Sequence, residues 1–177
     1  PILLGVNYIP SNTSISRLAL QTGSDESGVD FHQSFGRVST RVFGEILLSK
    51  PPWGRITAID MTSGDHMWMV ANGDTPQAVK DLPQLRRANV PKTGKATRVT
   101  SMVTSTLLFA GEGYGGDPFL HAYDKSTGDV VASIELPAAM SGMPSTFMHD
   151  GKQYIVFTIG ERGMPAEFVA LTLPDAE

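Results

Sequence analysis

Apolar residues in this chain fall in short runs, not in a helical stripe. Residues 106–110, 130–136 and 154–159 are strand-length stretches rich in Val, Ile, Leu and Phe, and 18 glycines and 12 prolines mark turns between such stretches. The one segment that invites a helix, residues 77–88, is interrupted by Pro83 and has no sustained apolar spacing of three to four. The pattern predicts an all-β chain.

Two segments repeat. Ala58-Ile59-Asp60-Met61-Thr62-Ser63-Gly64-Asp65-His66-Met67-Trp68 and Ala122-Tyr123-Asp124-Lys125-Ser126-Thr127-Gly128-Asp129-Val130-Val131-Ala132 lie 64 positions apart. In each, a strand ends at Asp, turns through Ser/Thr-Gly and enters a second strand. Asp accepts hydrogen bonds from the turn backbone and Gly tolerates positive φ, so both read as hairpins, and a hairpin repeated at this period implies repeated blades. Around the second copy, residues 102–110, 119–124, 129–136 and 153–159 are expected to form the four antiparallel strands of one blade. About three blades fit in 177 residues, too few for the roughly four to eight that close a propeller. The opening Pro1-Ile2-Leu3-Leu4-Gly5-Val6 reads as a strand cut from something upstream, so the chain is expected to be a fragment, its other blades upstream or on partner chains.

Composition narrows the function. A hydrophobic content of 41% supports a folded core, and a net charge of −4 with no basic cluster beyond Arg86-Arg87 gives a nucleic-acid backbone nothing to bind. The chain holds no cysteine, which removes disulfides, thiolate metal sites and a thiol nucleophile. His32, His66, His121 and His149 lack metal-ligand spacing. The glycine-rich Gly111-Glu112-Gly113-Tyr114-Gly115-Gly116 precedes no helix pattern, so it is a blade loop and no phosphate cradle. Asp60 and Asp124 occupy the hairpin slot and are structural; Glu161 and Glu167, without a paired carboxylate, read as solvated.

The first hairpin resembles the tryptophan-docking motif of the pyrroloquinoline-quinone (PQQ) dehydrogenases, Ala-x-Asp-x-x-Thr/Ser-Gly-Lys/Asp-x-x-Trp, with Ala58, Asp60, Ser63, Gly64, Asp65 and Trp68 in place. Pro51-Pro52-Trp53-Gly54, Glu135-Leu136-Pro137-Ala138 and Asp150-Gly151-Lys152-Gln153-Tyr154-Ile155-Val156 are similar to the glucose and polyol branch of that family. The resemblance implies the C-terminal part of an eight-bladed PQQ propeller. It also implies that Trp68 packs between blades, while Ala132 in the second copy docks more weakly.

The resemblance singles out three cofactor residues. Asn7 stands where relatives carry an asparagine whose amide bonds the quinone oxygens; its alternative is an ordinary turn asparagine. Trp53 stands in a loop that lines the funnel above the cofactor, or else packs between blades. Arg98 stands where relatives place a residue facing the cofactor ring, and its guanidinium suits a tricarboxylate; its alternative is a solvated surface arginine. Val99 and Thr100 replace the glycines many relatives have there. The resemblance also implies calcium, with its ligands and the catalytic carboxylate in earlier blades, so no catalytic or metal residue is expected in this chain, which alone should be inactive. It implies a sugar, polyol or alcohol substrate, a membrane quinone or cytochrome as acceptor, and a periplasmic setting with an anchor in a missing N-terminal region. A cofactor-free eight-bladed propeller serving as an interaction scaffold is the rival reading.

Overall fold

The computed structural model describes residues 3–7, 19–22, 31–34, 41–42, 46–47, 50–85 and 88–174. Strands β1 (Leu3–Asn7), β6 (Arg55–Asp60) and β7 (His66–Ala71) form one antiparallel sheet. Strands β8 (Ser101–Val103), β9 (Leu107–Gly111), β10 (Phe119–Asp124) and β11 (Val130–Glu135) form a second, in the order β11-β10-β9-β8. A third holds β12 (Ser145–His149), β13 (Lys152–Ile159) and β14 (Glu167–Thr172). Two short hairpins, β2 (Ala19–Thr22) with β3 (Phe31–Ser34) and β4 (Arg41–Val42) with β5 (Ile46–Leu47), lie in the long connection between β1 and β6. Within 77–88, one helical turn, α1 (Gln77–Lys80), is formed, ending ahead of Pro83. The all-β reading holds.

The strand grouping expected for the second blade does not. Residues 102–110 are two strands, because the chain reverses at Thr104-Ser105-Thr106: the Thr104 amide donates to the Leu107 carbonyl at 2.8 Å, and the Leu107 amide donates to Thr104 Oγ1 at 3.1 Å. The central sheet therefore closes its four strands by Glu135, and residues 152–159 belong to the third sheet, paired with β12 and β14.

Period-two alternation explains how the sheets stack. On one side of the central sheet, Leu108, Ala110 and Tyr123 pack with Ile56, Trp68 and Val70 of the first sheet and with Val99. On the other, Leu120 and Phe109 pack with Phe157, Ile159, Ile155 and Val169 of the third, with Leu136, Ala138 and Met140 filling between. Burying each of these larger side chains stabilises by about 1.5–3 kcal/mol.

Trp68 joins the first two sheets. Its Nε1 donates to the Lys125 carbonyl at 2.9 Å. Its ring covers Gly128, so closely that a Cβ there would stand 2.6 Å from Cε3. Gly128 is buried, and its φ of 80° already favours glycine. The Lys125 backbone is held in turn by the Thr106 carbonyl at 3.0 Å. The acceptor is thus a rigid turn, and the docking role of Trp68 is a contact of the structure.

Candidate functional site: one rim of the sheets

Strand register sorts the chemistry to two opposite rims. In the first sheet Asn7 is opposite Ile56 and Arg55 opposite Ala71, so the end of β1, the start of β6 and the end of β7 share one rim. In the second, Ser101 is opposite Ala110 and Gly111 opposite Leu120, which brings residues 98–100 and the loop 112–118 to the same rim. The Asp60 and Asp124 turns lie at the other rim. There Asp60 Oδ1 accepts the Thr62 amide at 2.7 Å, and Asp124 Oδ1 accepts the Ser126 amide at 2.7 Å. Both carboxylates serve turns.

Backbone bonds stitch this rim of the first sheet to the segment that leads from it to the second. The Asn72 amide donates to the Gly54 carbonyl at 2.9 Å, the Lys95 amide to the Asn72 carbonyl at 2.8 Å, and the Trp53 amide to the Thr93 carbonyl at 2.6 Å. Arg98 forms an isolated antiparallel bridge with Tyr114. Thr100 Oγ1 donates to the Gly142 carbonyl at 2.8 Å, tying the rim to the segment that leads into the third sheet.

The three residues singled out by resemblance come to this rim in different states. Asn7 is placed there by its backbone; its side chain lies outside the described residues. Arg98 is exposed and has no side-chain partner among the described residues. Trp53 is 5% exposed and packs with Val79, Ile46, Leu82, Leu85 and Ala96. Glu161 and Glu167 are exposed beside the third sheet's end of the rim, and His32 lies in β3, its side chain outside the described residues.

Sequence reasoning missed a buried polar cluster in the same place. Glu112 is 4% exposed. Its Oε2 accepts the Asp117 amide at 2.8 Å and lies 3.4 Å from Lys95 Nζ, while Oε1 lies 3.7 Å from His121 Nε2. Lys95 Nζ also reaches Asp117 Oδ2 at 2.5 Å, and His121 Nδ1 is 2.8 Å from Ser133 Oγ. Burial opposes ionisation of Glu112, but His121, the Asp117 amide and Lys95 outweigh it and hold the carboxyl below its usual range. Burial likewise works against the Lys95 charge, and Asp117 and Glu112 reverse that and raise it. Tyr123 is pushed up to about 12 by burial and by the nearby Glu112. The signal that was available is a carboxylate between two glycines directly after an apolar strand, where a solvated acid is out of place. Among the described residues no three His, Asp or Glu side chains are grouped to hold a metal ion, and no helix is long and apolar enough to cross a membrane.

Comparison with known proteins identifies the family. The family described as PQQ, glucose/ethanol/alcohol dehydrogenase, beta-propeller domain, matches over residues 12–155. Quinoprotein glucose dehydrogenase of Escherichia coli (strain K12) is 30% identical over 135 residues, covering 71% of this chain and 16% of that protein. The glycerol dehydrogenase large subunit of Gluconobacter thailandicus is 29% identical over 165 residues, covering 87% of this chain and 22% of that protein. The crystal structure of quinohemoprotein alcohol dehydrogenase from Comamonas testosteroni superposes over 98% of the chain and 25% of its own, with a TM-score of 0.54 at 16% identity. The chain thus spans about a sixth to a quarter of these proteins' lengths. On the match over most of its residues, together with the docked tryptophan and the stacked antiparallel sheets, the chain belongs to the PQQ-dependent dehydrogenase β-propeller family.

Proposed function

We propose that this chain is the C-terminal propeller segment of a PQQ-dependent dehydrogenase that oxidises a sugar, polyol or alcohol, and that its first rim forms part of the cofactor wall. The observation that carries the proposal is Arg98: an exposed guanidinium without a side-chain partner among the described residues, its backbone pinned to Tyr114 on the rim that also holds Asn7. An unpaired planar cation fits a ligand with several carboxylates, which it can bind in bidentate fashion or stack upon. When bound, PQQ would supply the hydride acceptor for the alcohol carbon. This chain's residues bind and orient: Arg98 holds a carboxylate or ring face, Asn7 donates an uncharged amide to a quinone oxygen, and Trp53 supports the rim from behind. In this reading eight blades complete the propeller, and calcium and the catalytic carboxylate reside in earlier blades. Electrons leave to a membrane quinone or a cytochrome, and the protein works in the periplasm, anchored through an N-terminal region.

Equilibrium titration of PQQ into the full-length apo-protein tests this. Asn7→Ala and Arg98→Ala should each raise half-saturation by about ten- to a hundred-fold, as expected for one lost bond to a strongly polar group of about 1.5–3 kcal/mol. Arg98→Lys should recover part of the loss, and Asn7→Asp should bind less tightly than Asn7→Ala. Unchanged half-saturation in all four variants would assign the rim to a cofactor-free scaffold.

A further inference from the structure

The role inferred here for the neighbours of Arg98 rests on that arginine being a cofactor ligand, as proposed. A long side chain binds well only if its root is fixed. Residues 97–98 are fixed by three consecutive residues of the loop after β9. Thr97 Oγ1 donates to the Glu112 carbonyl. Gly113 sits against the Arg98 carbonyl, leaving no room for a Cβ, and its φ of 78° favours glycine. Tyr114 completes the bridge with Arg98. The loop is set in turn by the Glu112 side chain, through the Asp117 amide, His121 and Lys95. Lys95 belongs to the same connecting segment as Arg98, so the Lys95–Glu112 pair spans the joint between the incoming segment and the loop that grips it. Glu112 also fills the space beside Gly73 and Gly116: a Cβ on Gly73 would be 2.8 Å from Oε2, and one on Gly116 would be 2.5 Å from the Glu112 Cβ.

A buried ion pair is a poor device for stability, since apolar residues of similar volume often stabilise as well or better. Its advantage is geometric, because charged partners tolerate only a narrow set of positions. We propose that Glu112 and Lys95 are positioning residues for Arg98, an ion pair closed behind the rim that sets where the guanidinium stands and so tunes affinity for the trianionic quinone cofactor.

The test is a double-mutant cycle in the full-length apo-protein, with PQQ as the probe and binding followed by absorbance and by the shift in apo-protein melting. Glu112→Gln keeps the side chain's size and one acceptor oxygen for the Asp117 amide, and removes the charge together with the second acceptor oxygen. It should raise half-saturation by about ten-fold, and Lys95→Met should do the same, whereas Lys95→Arg should stay near the parent. The decisive arm is the Arg98→Ala background, in which Glu112→Gln should add nothing further, because the pair acts through Arg98. If Arg98→Ala alone leaves half-saturation unchanged, the cofactor-wall reading itself has failed. If Arg98→Ala weakens binding but Glu112→Gln does not, or weakens it equally with and without Arg98, that reading stands and the positioning role is overturned. Should Glu112→Gln fail to fold, Lys95→Met, whose side chain is 18% exposed, takes its place in the cycle.

Discussion

The β6–β7 and β10–β11 hairpins, 64 residues apart, are nearly the same object at their turns and different objects along their outer strands. In both, the glycine amide donates to the Asp carbonyl, at 2.7 Å for Gly64 and 2.8 Å for Gly128, and the Asp amide donates to the carbonyl five residues on, at 2.9 and 2.8 Å. The glycine φ values are 81° and 80°. Both even shift register at the same place, after Ala58 and after Ala122. Yet Trp68, opposite Ala58, is docked on the next sheet, while Ala132, opposite Ala122, is exposed on a strand whose six residues are all exposed. The turn is written locally by Asp-x-x-Ser/Thr-Gly. Docking is a property of two blades, since it needs the tryptophan on one and the bare glycine and an accepting carbonyl on the next.

Removing the shared contact should have the largest effect. Trp68→Ala in the full-length protein should cost about 3 kcal/mol, the low end for a large aromatic because the ring is only partly buried. Gly128→Ala should cost about 2–3 kcal/mol, combining positive-φ strain with the clash against the indole. Gly64→Ala is the control: it has the same φ and nothing within 4 Å of a new Cβ, so it should cost only the strain, about 1 kcal/mol. Denaturant titration of the three variants isolates the docking component as the difference between the two glycines. Equal costs at Gly64 and Gly128 would show that the indole does not press on the turn.

The same contrast shows what could be read from the chain. Turns built on Asp and Gly were legible, and so were the all-β class and the family, because these depend on residues close in sequence. The reversal at Thr104-Ser105-Thr106 was not, because it uses no Gly, Pro or Asn and is held by Thr104 Oγ1 acting on Leu107. Missing it displaced residues 153–159 into the wrong sheet. At the rim, resemblance pointed to Asn7, Trp53 and Arg98, and the structure exposes Arg98 while burying Trp53 in an apolar cluster. Glu112 was overlooked because its partners Lys95, Asp117 and His121 come from separate elements, and no local spacing announces a pairing made by tertiary contact.

Acid should probe both turns alike. The Asp60 carboxyl is held below its usual range by the Thr62 amide, and that of Asp124 by Ser126. A carboxylate depressed in the folded state adds stability above its unfolded pKa and loses it as pH falls through the folded value. Asp60→Asn and Asp124→Asn, which keep an acceptor for the turn amides, should therefore lower the urea midpoint at neutral pH and leave it close to the parent's in strong acid. The two differences should be similar in size and smaller than either glycine effect. A pH-independent difference would mean the charge plays no part in the turn.

The smallest effect is expected from restoring the missing tryptophan. In Ala132→Trp the new indole would point toward the segment after β14 in the third sheet, as Trp68 meets the turn after β10 in the second. After β10 the chain supplies Lys125 and then Gly128, whereas after β14 it runs Leu173-Pro174, and Leu173 is 84% exposed. Past β14, the described residues include no glycine to receive a ring. With no acceptor among the described residues, the substitution adds an apolar side chain to an exposed strand already carrying Val130, Val131 and Ile134, and changes of that kind stay within about 0.5 kcal/mol. The melting temperature of Ala132→Trp should therefore match the parent's, and Trp fluorescence should report a solvated indole. A blue-shifted emission with a gain above about 1 kcal/mol, a third of the loss expected for Trp68→Ala, would reveal an acceptor turn supplied from outside residues 88–174 and would make docking as general along the propeller as the turn itself.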